Sequence, residues 1–420
     1  MKTVSTKKIN TEQRKDELLS IMSELTYSEG RNSLWTTLSY KNKKKRVSVK
    51  SVEYIDYIYA KYYKRYGEFV SEKDIKDRLK IIRYQNEFEN KKEAVFQKRC
   101  GYKDGCIYID MVNENLEYIK VSPNGYKIMK PKDEKSLFVN DKMQLPMVYP
   151  EKSKEDWTKY LDNILNLSDD DKFLYKIFLI ACFNPNIRMP IAFFEGKAGL
   201  GKSSMLDILA DFIDPSKRGK INLDGMSKRD LSLLFDHSYF VSIDNVSNIS
   251  NADSDFLCHT STGGNKSYRA NYTDEEEVNF NIKARSGMTS VRNCVKKEDL
   301  AQRTLFFTIP NFSGERITED DFLLKYEPYK GIIFHGILKI LSMALKIYPQ
   351  IKKEFPVYGR LASFESFGLC IAVCLDPKNG MDRFERIMKK QHLLQLRWKS
   401  EEDRKYFETL LEIVQLEPYS

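Results

Sequence analysis

Residues 189–213 read MPIAFFEGKAGLGKSSMLDILADFI. An apolar run of strand character meets a segment of small residues, and an amphipathic stretch of helical period follows. Gly196, Gly201, Lys202 and Ser203 satisfy the spacing G-x-x-x-x-G-K-[ST], with the strand before and the helix after that this spacing requires. Glycines there let the backbone curl until its N–H groups point inward. The following helix adds the positive end of its dipole. Gly196, Lys197, Ala198, Gly199, Leu200, Gly201, Lys202, Ser203 and Ser204 therefore read as a cradle for the phosphates of ATP. Lys202 meets the β- and γ-phosphates, and Ser203 offers a hydroxyl to Mg2+. The competing reading is a glycine-rich strand-to-helix turn with a solvated lysine.

Working outward, SYFVSIDNV at 238–246 is a second buried strand ending in Asp244. A carboxylate at the C-terminal tip of a neighbouring parallel strand faces the same crevice and is placed to hold the Mg2+ shell. Asn245 stands next, where many ATPases have the glutamate that activates water. Asn can orient a water but cannot accept its proton. The general base is left open among Asp253, Asp255 and Glu195. VNFNIKARS at 278–286 and TLFFTIP at 304–310 read as further strands, and WTKYLDNILNLSDDDKFLYKIFLIACF at 157–183 as a strongly amphipathic helical stretch. Helices alternating with apolar strands imply an α/β fold, a parallel sheet covered on both faces.

The flanks differ in character. Residues 1–50 are polar and carry the charge run KNKKKR at 41–46, read as a solvated segment or, alternatively, a phosphate-binding arm. SVEYIDYIYAKYYKRY at 51–66 is helical, with a tyrosine stripe that suits helix packing or base stacking. SEKD at 71–74 is a capping box opening a second helix. KDG at 103–105, IYID at 107–110 and SPNG at 122–125 are turn and strand signals. LPMVYPEKS at 145–153 suits a boundary. The organisation expected is a basic, mainly helical region over 1–99, a small β element over 100–150, a P-loop ATPase domain over 151–345 and a helical region over 346–420.

Of the 420 residues, 41% are hydrophobic, and Lys plus Arg exceed Asp plus Glu by 69 to 60. A net charge of +9 suits a polyanionic partner without demanding one. No apolar run approaches the ~18 residues of a membrane span, and MKTVSTKKIN has no apolar region after it. No membrane association and a cytoplasmic location are expected. Among seven cysteines, Cys100/Cys106 and Cys370/Cys374 lack metal-site spacing and read as buried thiols.

Several stretches together resemble a known family: the phosphate loop, IDNVSNISNADSDFLCHTSTGGNKSYRANYTDEEEVNF at 243–280, and EDLAQRTLFFTIP at 298–310. They look like the ATPase module of replication helicases carried by phages, plasmids and bacterial genomic islands, including the Rep proteins of staphylococcal islands. These are AAA+ enzymes of the superfamily 3 and MCM-like kind. The resemblance covers roughly residues 100–345. It implies an ATP-driven helicase or replication initiator that forms a homo-oligomeric ring, a hexamer, on single-stranded or forked DNA. It implies Lys202 and Ser203 on ATP–Mg2+, Asp244 on Mg2+, and Arg303 as an arginine finger. It also implies a channel-facing hairpin at 267–280, with Lys266 and Arg269 on the DNA backbone. The chain departs from the family at His259, where arginine is usual, and in the acidic TDEEE of the hairpin. The residue sensing the γ-phosphate is open among Ser286, Thr289, Ser290 and Asn293. RLASFESFGLCIAVCLDPKNGMDRFERIMKK at 360–390 resembles the helical segment after the ATPase. Two other readings compete: an ATP-dependent switch that does not unwind, and a small-molecule kinase.

Overall fold

A computed structural model describes residues 11–25, 27–30, 33–40, 43–86, 96, 98–131, 137–139, 141–269, 277–311, 325–355 and 360–398. The chain divides into two compact units. The first comprises residues 1–99, 110–118 and 128–142, and the second residues 100–109, 119–127 and 143–420.

The first unit carries helix α1 (Thr11–Ser23), strands β1 (Tyr27–Gly30), β2 (Ser33–Tyr40) and β3 (Lys43–Ser48), and helices α2 (Val52–Tyr66) and α3 (Glu72–Tyr84). The strands form an antiparallel meander, with Thr36 opposite both Tyr27 and Val47. Alternate residues Leu34 and Leu38, with Val47 and Val49, are buried with Leu18, Ile21 and Met22 of α1. Tyr54, Ile58 and Tyr62 of α2 lie four apart and join the same core, so the inward part of the tyrosine stripe packs helix against sheet. Ser51 and Ser71 cap α2 and α3 by accepting the N–H groups of Tyr54 and Asp74. The expectation of a solvated segment here needs correction. Residues 43–46 of the charge run lie in β3, and Arg46 is buried. Residues 41 and 42 lie outside the described residues.

The second unit begins with a small sheet of order β4-β5-β6-β7, from Cys100–Lys103, Cys106–Asp110, Tyr118–Ser122 and Gly125–Met129. KDG makes the β4–β5 hairpin turn, in which Asp104 and Gly105 both have positive φ (51° and 72°), as a tight two-residue turn demands.

The main sheet follows. Its strands β8 (Ile191–Glu195), β9 (Phe240–Ile243), β12 (Arg285–Ser290) and β13 (Thr304–Thr308) are all parallel, in the order β13-β8-β12-β9. Ile221 adds a one-residue parallel bridge to Ile243 beyond β9. Both faces are covered, so β8 is apolar without alternation. Gly287 of β12 has no Cβ where one would collide with Leu206, which brings the helix after the glycine loop at 196–201 close against the sheet.

The covering helices are α4 (Trp157–Asp162), α5 (Asp169–Cys182), α6 (Lys202–Ile213), α7 (Lys228–His237), α8 (Asn251–Thr262) and α9 (Glu298–Ala301). They continue with α10 (Lys330–Glu354), α11 (Ala362–Leu375) and α12 (Gly380–Leu394). The stretch 157–183 is two helices, because Ser168 caps α5 by accepting the N–H of Asp171. VNFNIKARS likewise divides. Its first part, within β11 (Glu277–Asn281), pairs antiparallel with β10 (Asn265–Arg269), while Arg285 and Ser286 open β12.

The stretch Glu327–Glu354 is helical and apolar enough by composition to cross a membrane, with a mean hydropathy of 1.5 over 18 residues. This corrects the expectation that no run approaches that length. More than half of the window is buried inside the protein. Gly336 lies against the Trp157 ring, and Tyr329 stacks on Tyr160 at 4.0 Å. The helix behaves as a core element. It also runs through residues 345 and 346, so the chain has no break there.

Strand β13 is an edge, and α12 closes it. Gln391 accepts from the Phe306 N–H and donates to the Phe306 carbonyl, both at 2.8 Å, as a neighbouring strand would. Gln395, one turn on, donates to the Thr304 carbonyl at 3.0 Å. Two side-chain amides thus occupy groups that would otherwise template pairing with another chain.

Candidate functional site

The loop between β8 and α6 is shaped by two glycines in the left-handed region, Gly199 (φ 76°) and Gly201 (φ 84°). Gly201 is the N-cap of α6 and makes no side-chain cap. Helices α5, α7 and α8 are capped by Ser168, Ser227 and Ser250. The first-turn donors of α6 are therefore left for an outside acceptor, and the helix dipole favours an anion there.

Lys202 opens α6 and is 8% exposed. Its Nζ donates to the carbonyls of Gly196 (2.8 Å) and Lys197 (2.7 Å), which folds the side chain back under its own loop. Burial holds its pKa below the ordinary lysine value, and the charge of Asp244 opposes that shift. Asn166, before α5, braces the loop by donating to the Leu200 carbonyl at 3.1 Å.

Ser203 donates to both carboxylate oxygens of Asp244, at 2.9 and 3.1 Å. Asp244 follows the last residue of β9, two strands from β8 in the sheet. Between them β12 ends in Thr289 and Ser290, which sit beside Phe194 and Glu195 in register. The buried Thr289 hydroxyl donates to the same carboxylate and accepts from the Asn245 N–H at 2.8 Å. Asn245 holds φ at 57°, a conformation Asn tolerates better than most residues. Three strand tips thus converge on one acidic group, with a serine and a threonine hydroxyl on it. Hard oxygen donors in this set suit Mg2+.

Of the open candidates for a sensing residue, Thr289 alone touches Asp244 among the described contacts. Ser290 instead donates to the carbonyls of Val246 and Arg292. Ser286 is the second residue of β12, at the far end of the strand. Asn293 gives its backbone N–H to Glu195 at 3.1 Å. Glu195 therefore stands at the strand tips. Asp253 gives its N–H to the Ser250 cap of α8 and pairs with Lys228. Burial would raise its pKa, but Lys228 and Ser250 hold it below the usual carboxylate value. Asp255 pairs with Lys297 at 2.8 Å.

Two sequence expectations do not join this group. Arg303 precedes β13, at the opposite end of the sheet from the glycine loop. It is 6% exposed, bound to the Asp299 carboxylate at 2.5 Å and to its carbonyl at 2.7 Å. In the isolated chain the guanidinium braces the turn between α9 and β13, and a finger offered to a neighbour would have to leave Asp299. Lys266, at the base of the hairpin, lies over the Phe256 ring at 5.1 Å. Arg269 ends β10 opposite Glu277, and residues 270–276 of the hairpin lie outside the described residues. His259 is exposed on α8. Asn166 carries no motif signal in the sequence, because its role depends on a fold contact with residue 200.

The family model of the actinomycete integrative conjugative element replication protein, AICE_RepA, matches residues 160–386, more than half of the chain. The chain belongs to this family. The matched span begins in α4 and ends in α12, so it contains the whole parallel sheet, the glycine loop between β8 and α6, and the Gln391-bearing helix up to residue 386. The match agrees with the sequence resemblance at the level of a replication protein of a mobile element. No curated protein matches. Among solved structures, the apo C-terminal region of NrS-1 is 13% identical over 90% of this chain and 89% of that one, with a TM-score of 0.42. A second apo form is 14% identical over 78% and 68%, with a TM-score of 0.41. The JCV helicase is 14% identical over 57% and 64%, with a TM-score of 0.28.

Proposed function

We propose that this replication protein is an ATP-hydrolysing DNA helicase or initiator of the AAA+, superfamily 3 kind, working as a homo-hexameric ring on single-stranded or forked DNA. The observation that carries the reading is the convergence of Lys202, Ser203, Asp244 and Thr289 at the tips of three adjacent parallel strands, beside a glycine loop and an uncapped helix. Backbone N–H groups of residues 197–202 and Lys202 would receive the phosphates. Ser203 and Asp244 would hold Mg2+, the ion that neutralises charge building on the transferred phosphoryl group. Lys202 must leave its loop carbonyls to do so, and Ser203 must share Asp244 with the metal. Thr289 keeps the carboxylate aimed, and Glu195 is a further carboxylate at the strand tips, accepting the Asn293 N–H.

A second reading, an ATP-dependent switch that binds DNA without unwinding it, is favoured by one specific observation. Asn245 stands where a proton acceptor is expected, and Asp253 and Asp255 are tied into ion pairs. The deciding experiment measures ATP hydrolysis with and without DNA, together with strand displacement on a forked substrate. Stimulated hydrolysis with displacement supports the helicase. Binding and slow hydrolysis without displacement supports the switch. A chain that binds no ATP overturns both.

A further inference from the structure

We infer that single-stranded DNA is held by the first unit, on the stacked aromatic pair Tyr63 and Phe69 between Lys64 and Lys73. The inference rests on the reading that DNA is the partner, and it is independent of the phosphate site.

Charge points to this unit. Its residues include 28 Lys and Arg against 20 Asp and Glu, whereas the second unit has 41 against 40. Fewer than a third of the residues therefore hold eight of the nine net positive charges. A polyanion meets its attraction here and not at the near-neutral second unit.

The surface of the unit then narrows the place. Tyr54, Ile58 and Tyr62 take the inward face of α2, which turns Tyr63 outward, 50% exposed. Gly67 ends the helix in the left-handed region, and the chain doubles back so that Phe69 lies on Tyr63. The rings are 4.9 Å apart and 27° from parallel, and Phe69 is 80% exposed. No other phenylalanine among the described residues is so open to water. Phe69 buries little of itself, and packing among the described residues does not explain it. Two stacked rings with an outer face free offer a platform for an unstacked base.

The cations nearby are sorted. Lys61 and Arg65 share the one carboxylate of Glu24, and Glu68 pairs with Arg14. Lys64, next to Tyr63, and Lys73, in the first turn of α3 and near Asp77, are exposed, and among the described residues neither makes an ion pair within 4 Å. They remain for phosphates on either side of the aromatic pair in sequence. Duplex DNA keeps its base faces stacked and shut, so single strands are the form this platform fits.

The test uses the full chain without nucleotide and a fluorescein-labelled oligo-dT of roughly 16 nucleotides, a site size at the upper end for such surfaces. Tyr63→Ala with Phe69→Ala should weaken binding by at least about tenfold. It should leave the circular dichroism and the DNA-free ATPase rate unchanged, because both rings are exposed. Lys64→Ala with Lys73→Ala should flatten the slope of log affinity against log salt by about 1.4, two phosphates' worth on a single strand. Wild-type affinity in the aromatic double variant, with the loss appearing instead in Lys266→Ala, would overturn the inference and leave the DNA reading standing. A wild-type chain that binds no oligo-dT at low salt would sink the DNA reading itself.

Discussion

Replacing Thr289 by valine keeps the shape of a fully buried side chain and removes one hydroxyl. That hydroxyl accepts the Asn245 N–H and donates to Asp244. Losing the acceptor leaves a backbone donor unpaired, which costs ~1–3 kcal/mol. Losing the donor removes a hydrogen bond to a charged group, worth ~1.5–3 kcal/mol to the ionised form. Relaxation at the strand tips and water recover part of both, so a net destabilisation of ~2 kcal/mol is the working figure. In a unit of about 300 residues that lowers Tm by roughly 3 °C. The functional consequence is separate. A carboxylate with one fewer donor is aimed less firmly, and a loss of ~1.4 kcal/mol in Mg2+ holding is tenfold in affinity. ATPase rate titrated with Mg2+ should therefore shift to about tenfold higher metal, and Thr289→Ser should restore the wild-type curve. A valine variant with the wild-type Mg2+ requirement and Tm would refute the positioning role. A serine variant as poor as valine would show that the methyl group, and not the hydroxyl, matters.

Three further outcomes follow from the same geometry. Gln391→Leu leaves the buried N–H and carbonyl of Phe306 unpaired and should cost ~2–5 kcal/mol, read as a lowered Tm with aggregation through the opened edge strand; a soluble variant of wild-type Tm would sink the edge-closing account. Arg303→Ala should lower Tm and, mixed with Lys202→Ala subunits, should restore no ATPase activity, because the guanidinium is engaged in its own chain; recovery at any mixing ratio would show that it opens and reaches a neighbour. His335 accepts or donates at Nδ1 with the Tyr126 hydroxyl at 2.7 Å, and burial with Lys339 and Lys152 holds its pKa below 6.5. The unfolded chain then binds the proton more readily, so stability should fall as pH drops from 6.5 towards the folded value. His335→Gln should abolish that part of the acid sensitivity, and an unchanged pH profile would remove His335 from the account.

The parts of this fold that were legible had strong local patterns. β8, α6 and β13 declare themselves through apolar runs and a motif with fixed spacing. The first of two divisions inside longer stretches was written in the sequence as well: Ser168 before three aspartates is a helix start, and the apolar period on both sides hides it. The break inside VNFNIKARS carries no such mark. Phe280, in β11, and Ile282, just past its end, both reach the core before β12 opens at Arg285. The meander of β1–β3 has its alternation in Leu34, Thr36 and Leu38, but the lysine run beside it reads as solvated until pairing turns Arg46 inward. Within the site, Lys202, Ser203 and Asp244 follow from chemistry and spacing. Thr289 does not, because SGMTSVRN offers several polar groups and only the register of β12 between β8 and β9 selects one. The burial of Arg303 was equally out of reach, since the same residue reads as a surface charge or a finger until its strand is placed at the far end of the sheet.

The central claim is that the loop at 196–204 and Asp244 form one Mg2+-dependent ATP site. Isothermal titration of ATP into the full chain, with and without Mg2+, tests it most directly when run beside Lys202→Ala and Asp244→Asn. The account predicts one site per chain that needs Mg2+, with both variants retaining the fold by circular dichroism. Asp244→Asn should lose the Mg2+ dependence, and Lys202→Ala should lose at least ~10²-fold in hydrolysis rate. ATP binding that is indifferent to Mg2+ in the wild type, or hydrolysis by Lys202→Ala at the wild-type rate, would contradict it.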